Sequence, residues 1–458
     1  MKKFFLLALA MLLMTAGMAV AEEGAIQIDG DYQFRYDSLK GTVHEYVQVD
    51  TTGAVPAGFA MPGKDVENSS LMTNRFGLNL KAQALEDIVV KARLLMYKVY
   101  GHETSTPVNG QYFGDRAMGS NDGTVGHVPE DNTLRVDYAY ATWSNIAEMP
   151  IWFSVGRRPS TGGIPTNIKD NREKGGTGGI PAILVDYAFD GMTAGVAPDI
   201  EVLPGAYAKL CYGRGFDSGY VNTTGTTLKD TDFLGLNAAL YDTDALHVEL
   251  QYQKGWNIFD LPSDGAMGMS GPSENLGDID WIGGVVMGKV ADLNLFFSAA
   301  QSKTDPNSNT FNNNGTPWGL LWTGTKESHT GTAVYLGGRY DIASTGTKIG
   351  AEYNQGSKNW IGMVPAGDDI WTSKLGTRGS VYEVYVIQEL KNKPLTKKAK
   401  AFFKLGYQAY KFDYTGSNFW IGAPVKISDL SASNPSTQQI LAPIEKATDL
   451  YLTFNVRF

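Results

Sequence analysis

The feature that most constrains this chain is a hydrophobic alternation of period two, held over stretches too long for ordinary strands. From Ile26 to Tyr36 one parity reads Ile26, Ile28, Gly30, Tyr32, Phe34 and Tyr36. The other reads Gln27, Asp29, Asp31, Gln33 and Arg35. Successive side chains of a strand point to opposite faces, so each such segment has one apolar and one polar, charged face. The last segment repeats the pattern, with Leu450, Leu452, Phe454, Val456 and Phe458 against Tyr451, Thr453, Asn455 and Arg457. Strands of soluble domains are usually about 5–6 residues long, whereas a tilted strand crossing a bilayer needs about 9–11.

Sixteen segments follow this pattern: 25–37, 73–84, 88–100, 132–143, 151–158, 181–197, 206–216, 230–240, 245–256, 278–289, 293–303, 331–340, 347–357, 379–390, 400–414 and 447–458. Short connections, such as 85–87, 241–244 and 290–292, alternate with long polar ones, such as 38–72, 101–131, 159–180 and 415–446. Short turns at one end and long loops at the other are the pattern of an all-β, transmembrane antiparallel β-barrel, with periplasmic turns and extracellular loops. Lipid offers no hydrogen-bond partners, so a sheet in it must close on itself. Its outside is then apolar and its lumen polar. Asp190-Gly191 has the composition of a hairpin turn. Splitting 181–197 there would give an odd strand count and end the short-long alternation, so the segment is read as one strand turning at Pro198–Gly205. Tyr32, Tyr36, Tyr138, Tyr140, Tyr252 and Tyr407 have the parity of interfacial girdles.

Composition removes other classes. An 11% aromatic content is too rich in buriable surface for a disordered chain. Cys211 is the one cysteine, so no disulfide framework exists within the chain. A net charge of -9 argues against a nucleic-acid partner. At the N-terminus Lys2 and Lys3 precede an apolar run from Phe4 to Met14, followed by Ala19-Val20-Ala21. This predicts a cleaved export signal over residues 1–21 and a single barrel over 22–458, with no soluble domain in front.

The ending Tyr451-Leu-Thr-Phe-Asn-Val-Arg-Phe458 resembles the C-terminal insertion signal that the barrel-assembly machinery recognises in Gram-negative outer-membrane proteins. Over that last strand, 447–458, the signal residues are Leu450, Leu452, Phe454, Val456 and Phe458. Other stretches resemble a largely uncharacterised family of porins known chiefly from anaerobic and microaerophilic proteobacteria. These are Ala92-Arg-Leu-Leu-Met-Tyr-Lys98, Gly156-Arg-Arg-Pro-Ser-Thr-Gly-Gly163, Leu184-Val-Asp-Tyr-Ala-Phe-Asp-Gly191 and Phe412-Asp-Tyr-Thr-Gly-Ser417. The resemblance implies outer-membrane lipid and lipopolysaccharide as surroundings, and a homotrimer by analogy. It names no solute.

In sixteen-stranded porins the loop after the fifth strand folds into the barrel. Here that loop, 159–180, carries Lys169, Asp170, Arg172, Glu173 and Lys174, with Arg157 and Arg158 at its root. The resemblance makes these seven the candidate pore constriction; a solvated outer loop is the alternative. On the polar parity Arg75, Lys81, Lys91, Arg93 and Arg135 form a candidate basic ladder on the lumen wall. They either set a transverse field that sorts solutes or pair with Asp137, Asp186, Glu249 and similar acids.

Catalytic and cofactor signals are weak. His44, His102, His127, His247 and His329 show no metal-ligand spacing. The Asp-rich loops, Asp115 to Asp122 and Asp368-Asp369, lack the fixed spacing of a Ca²⁺ loop. No C-x-x-C-H motif for covalent haem occurs. No catalytic residue, metal or cofactor is assigned. The expected function is passive diffusion of small hydrophilic solutes or ions through an outer-membrane porin. The alternatives are a barrel that sheathes a partner such as a multihaem cytochrome, and an outer-membrane barrel enzyme whose site is assembled from several strands.

Overall fold

The structure, a computed structural model, describes residues 25–458 except 51–54, 56, 102–128, 130–131, 161, 175–178, 219–227, 261–273, 314–315, 365–368, 395 and 397–398. The signal segment 1–21, His102, His127, Asp115 to Asp122 and Asp368 therefore lie outside the described residues.

The chain forms a closed antiparallel barrel of sixteen strands. They are β1 (Ile26–Val43), β2 (Lys64–Leu85), β3 (Ile88–Val99), β4 (Arg135–Trp143), β5 (Ile151–Ser160), β6 (Tyr187–Val196), β7 (Tyr207–Phe216) and β8 (Thr231–Asp242). The second half comprises β9 (Leu246–Phe259), β10 (Asn275–Val290), β11 (Leu293–Pro306), β12 (Thr330–Ile342), β13 (Thr347–Gly356), β14 (Gly379–Glu389), β15 (Lys400–Phe412) and β16 (Ile444–Arg457). Every strand pairs with its sequence neighbours, and β16 closes on β1. In that closing ladder Asp31 stands opposite Arg457, and the Gly30 and Phe458 backbones exchange hydrogen bonds of 2.9 and 3.0 Å.

The alternation sets the two faces. On β16 the parity of Leu450, Leu452 and Phe458 is exposed, while Asp449, Tyr451 and Thr453 are buried inward. Val384 on β14 exposes 54% of its surface, and Leu250, Ile349 and Leu405 are comparably bare. A continuous belt of exposed large apolar side chains around a closed barrel is the lipid-facing surface of a membrane barrel. Among the described residues no helix is long and apolar enough to cross a membrane.

Three sequence expectations shift. β1 and β2 run past the expected ends to Val43 and back to Lys64. Above the lipid belt the outer face turns polar, with Lys40 and Glu67 exposed, while Leu39 and Val43 are buried inward, so the alternation changes phase although the ladder continues. The 181–197 segment is one strand, as expected, but only from Tyr187; Asp190 and Gly191 sit mid-strand opposite Arg157 and Gly156. The apolar run before it, Ile180 to Val185, is buried inside the barrel instead. Tyr138 and Tyr140 are not girdle residues. A β-bulge where β3 meets β4 breaks the register; Tyr138 then reaches Asn79 on the lumen side, and Tyr140 lies under Arg158.

The larger departure is that much of the lumen is apolar. The described parts of the long loops L3 (161–186), L6 (307–329), L7 (357–378) and L8 (413–443) fold inward. L3 contributes Ile168, Ile183 and Leu184, L6 contributes Trp318 and Leu321, L7 contributes Trp360 and Ile361, and L8 contributes Trp420. They pack on inward-facing Phe233, Ile279, Trp281, Phe296 and Tyr335 of β8 and β10–β12. Fully burying each large side chain contributes about 1.5–3 kcal/mol. Indole N–H groups bond backbone carbonyls as the loops pack. Trp281 Nε1 donates to the Ile361 carbonyl at 2.8 Å, Trp360 Nε1 to Leu375 at 2.7 Å and Trp420 Nε1 to Phe259 at 2.7 Å. Buried Arg378 donates to the carbonyls of Trp360, Thr415 and Phe419, which ties L7 to L8.

Candidate functional site: a charged cavity beside an inward-folded loop

The packed loops leave a cavity along one side of the barrel. A cavity of about 970 Å³ runs between L3 and the wall made by β15, β16 and β1–β4. At about 30 Å³ per water it holds roughly thirty water molecules. Its lining extends from Ala399 and Lys400 at the short-turn end to Pro159, Gly162 and Val364 on the loop side. On the wall it presents Asp29, Asp31, Arg75, Asn79, Arg93, Asp137 and Arg457; from L3 it presents Asp170, Arg172 and Glu173.

The charges form a connected set. Arg93 bridges Asp31 at 2.7 Å and Asp137 at 3.3 Å, and donates to Asn79 at 2.8 Å. It lies across the position where a side chain at Gly77 would stand. Arg75 lies over the Tyr97 ring. On L3, Arg172 pairs with Asp170 and remains half exposed to the cavity. That carboxylate is the main reason the guanidinium is held above its ordinary value; burial acts the other way.

L3 is fixed from its helical turn to its far flank. Lys169, in the one-turn helix Thr166–Lys169, is buried and pairs at 3.1 Å with both Asp369 of L7 and Glu383 of β14. Lys374 of L7 reaches the same Glu383 at 2.5 Å and also pairs with Glu352. Tyr335 donates to Glu352 and Tyr451 to Glu383, at 2.7 and 2.6 Å. Burial alone would lower both ammonium pKa values, but the carboxylates outweigh it and hold both above the ordinary lysine range. On the far flank Lys174 pairs with Asp242 and donates to the Thr243 carbonyl at 2.8 Å.

The expected constriction residues therefore separate. Asp170, Arg172 and Glu173 face the cavity, and Lys169 borders it while committed to its carboxylates. Lys174 anchors the opposite flank of L3. Arg158 points inward but is held on Ser154 and over Tyr140. Arg157 does not belong to the constriction. It lies on the outward parity, 3.4 Å from Asp190, itself on the exposed face; adjacent residues of a strand point to opposite sides, so Arg157 and Arg158 cannot both line a pore. The basic ladder divides similarly. Arg75 and Arg93 line the cavity. Lys81 and Lys91 stand opposite each other nearer the short-turn end, and Arg135, at the long-loop end, donates to the Thr133 carbonyl.

Sequence reasoning missed Glu352, Glu383, Lys374 and Asn171. The first two carried a usable signal, the lumen parity of their strands. Lys374 and Asn171 lie in loops without periodicity. His247 sits between Asp242 and Glu249, 2.9 Å from each, as a bonded wall residue. Cys211 is a free thiol on the lumen parity. Among the described residues no group of three or more His, Cys, Asp or Glu is placed to hold a metal ion.

The family described as "Protein of unknown function (DUF3373)" matches residues 65–458, which is β2 to the last residue. The chain belongs to the DUF3373 family. No match was found among curated proteins. Among solved structures, this DUF3373 protein is similar to OmpT, an outer membrane protein of Vibrio cholerae, at 12% identity and a TM-score of 0.44, over 95% of this chain and 99% of that one. It is also similar to the anion-selective porin from Comamonas acidovorans, at 11% identity and a TM-score of 0.45, over 94% and 99%. Salmonella typhi OmpF in complex with daunomycin gives 9% and 0.45, over 94% and 97%.

Proposed function

We propose that this DUF3373 protein is an outer-membrane porin that passes small hydrophilic solutes or ions down their gradient. The observation that carries the reading is the cavity itself. It has room for roughly thirty water molecules, is lined by charged groups of both signs, and is bounded by barrel wall on one side and a fixed loop on the other. Such a passage needs no chemical step. Solutes enter if the charged lining replaces part of their hydration, and leave if no site binds too strongly. On this reading the protein is exported through its N-terminal signal and inserted by the barrel-assembly machinery through its C-terminal strand. It then sits among lipopolysaccharide, as a trimer by analogy with porins of similar size and as one of the porin family of anaerobic and microaerophilic proteobacteria that its sequence resembles. It is not an enzyme.

A lumen already occupied by the chain's own tryptophan-rich loops weighs against a sheath for a multihaem partner. The test is single-channel conductance of the refolded protein in a planar bilayer, with the reversal potential read in a salt gradient. Steady openings are expected, smaller than a sixteen-strand barrel with only L3 folded in would give. Replacing Arg75 and Arg172 by Gln moves the reversal potential toward cations. A folded barrel with no conductance sinks the proposal.

A further inference from the structure

The apex of L3 is received by four wall groups, and one belongs to the strand that completes the barrel. Arg457 Nη1 donates to the Asn171 carbonyl at 2.7 Å and Nη2 to the Asp170 carbonyl at 2.6 Å. Asn171 is 3% exposed and has a φ of 54°, a left-handed conformation that Asn tolerates better than most residues. Its side chain is read from both ends: Lys348 Nζ donates to its Oδ1 at 2.7 Å, and its Nδ2 donates to Glu389 at 2.9 Å. Arg339 donates to the Ile168 carbonyl one turn earlier. Lys348, Glu389 and Arg339 lie on β12–β14, strands that pair with their sequence neighbours. Arg457 differs. It lies on β16, opposite Asp31 of β1, in the ladder that closes the barrel.

We propose that Arg457 makes the closing strand the clamp of the pore loop, so that L3 takes its final place only when β16 has paired with β1. The last strand then does two jobs on two faces. Its outward parity, ending in Phe458, faces lipid, and its inward parity holds the partition that shapes the cavity. The planar fork of a guanidinium suits the task, because it spans two successive carbonyls where an ammonium supplies a single point. Arg457 is a positioning residue: it acts on solutes through L3. The inference rests on the pore reading only for its functional meaning, and its test does not use conductance.

Hydrogen exchange of the folded protein reads the clamp directly. Arg457→Gln removes two bonds from a charged donor, each worth more than a neutral one. Amides in 162–174 should then exchange at least about tenfold faster, while β1 and β16 keep their protection and the barrel keeps its heat-modifiable migration in SDS gels. Arg457→Lys should fall between wild type and Gln; full protection in the lysine variant would mean that charge alone suffices and would overturn the clamp. Unchanged exchange of L3 in the Gln variant would overturn it as well. The order of events is tested on wild type, independently of how any variant folds. In pulse-labelled refolding, L3 protection should appear no earlier than the SDS-resistant barrel, and L3 protected before closure refutes the proposal. If the protein conducts nothing yet L3 behaves this way, the pore reading fails and the clamp stands.

Discussion

Glu383 gives the sharpest test of how the interior is held. Its carboxylate is 1% exposed and receives Lys374 at 2.5 Å, Lys169 at 3.1 Å and the Tyr451 hydroxyl at 2.6 Å. At an effective dielectric of about 20, each ion pair gives roughly 5–7 kcal/mol of Coulomb attraction, most of it offset by desolvation. Breaking a buried pair by removing one partner costs about 3–5 kcal/mol, because the remaining charge stays buried. Asp369 remains on Lys169 and Glu352 on Lys374, so Glu383→Gln should fall near the lower end, about 3 kcal/mol. The assay is urea unfolding in lipid followed by tryptophan fluorescence, with hydrogen exchange of L3 and L7 alongside. Both loops should lose protection together, since one carboxylate serves both. Adding Lys374→Met should cost less than the sum of the single changes. A Gln variant within about 0.5 kcal/mol of wild type, with both loops still protected, would refute the argument that this cluster locks them.

Other outcomes follow from the same geometry. Trp360→Ala empties the centre of the plug, where the side chain is 0% exposed; it should cost about 3–5 kcal/mol and enlarge the single-channel conductance. Leu452→Arg puts a charge on the lipid face and should cost about 2–4 kcal/mol, read as a lower folding yield into bilayers, whereas Thr453→Val on the lumen side should not impair insertion. Burial raises the pKa of Asp260, at the end of β9, to about 7. A carboxyl raised above its unfolded value is favoured in its neutral form, so its contribution is complete at acid pH and is lost as pH rises through about 7. Asp260→Asn should flatten the stability profile between about pH 4 and 7, the span from the unfolded to the folded value. The raised ammonium pKa values of Lys169 and Lys374 have a different consequence. Their contribution is present below the unfolded lysine value of about 10.4, so the two-loop lock should persist through mildly alkaline solution, which hydrogen exchange at pH 9 checks.

The barrel wall was legible because lipid and water impose a strict rule on each strand. Every second residue from Ile26 or from Leu450 must suit hydrocarbon, and the rule is local, so sixteen segments and their pairing order can be read along the chain. It also settled Asp190-Gly191, where turn-like composition yielded to the parity of chain closure. The rule fades where its cause stops. The upper parts of β1 and β2 stand above the lipid, where the apolar parity passes to the inward side with Leu39 and Leu71, and one bulge at β4 was enough to turn Tyr138 and Tyr140 inward. What fills the barrel obeys no local rule. Trp318, Trp360 and Trp420 lie in loops that read as polar because Gly, Asn and Thr surround them, and only the folded chain shows that they meet Trp281 and Phe296. The charged residues of L3 were visible as a group, yet tertiary contacts sorted Arg172 into the cavity, Lys169 into a buried carboxylate cluster and Arg157 onto the outer face. The sequence by itself determined the closed wall, since a bilayer constrains each residue separately. Tertiary structure alone decided the interior, because packing and ion pairing depend on which distant residues arrive at the same place.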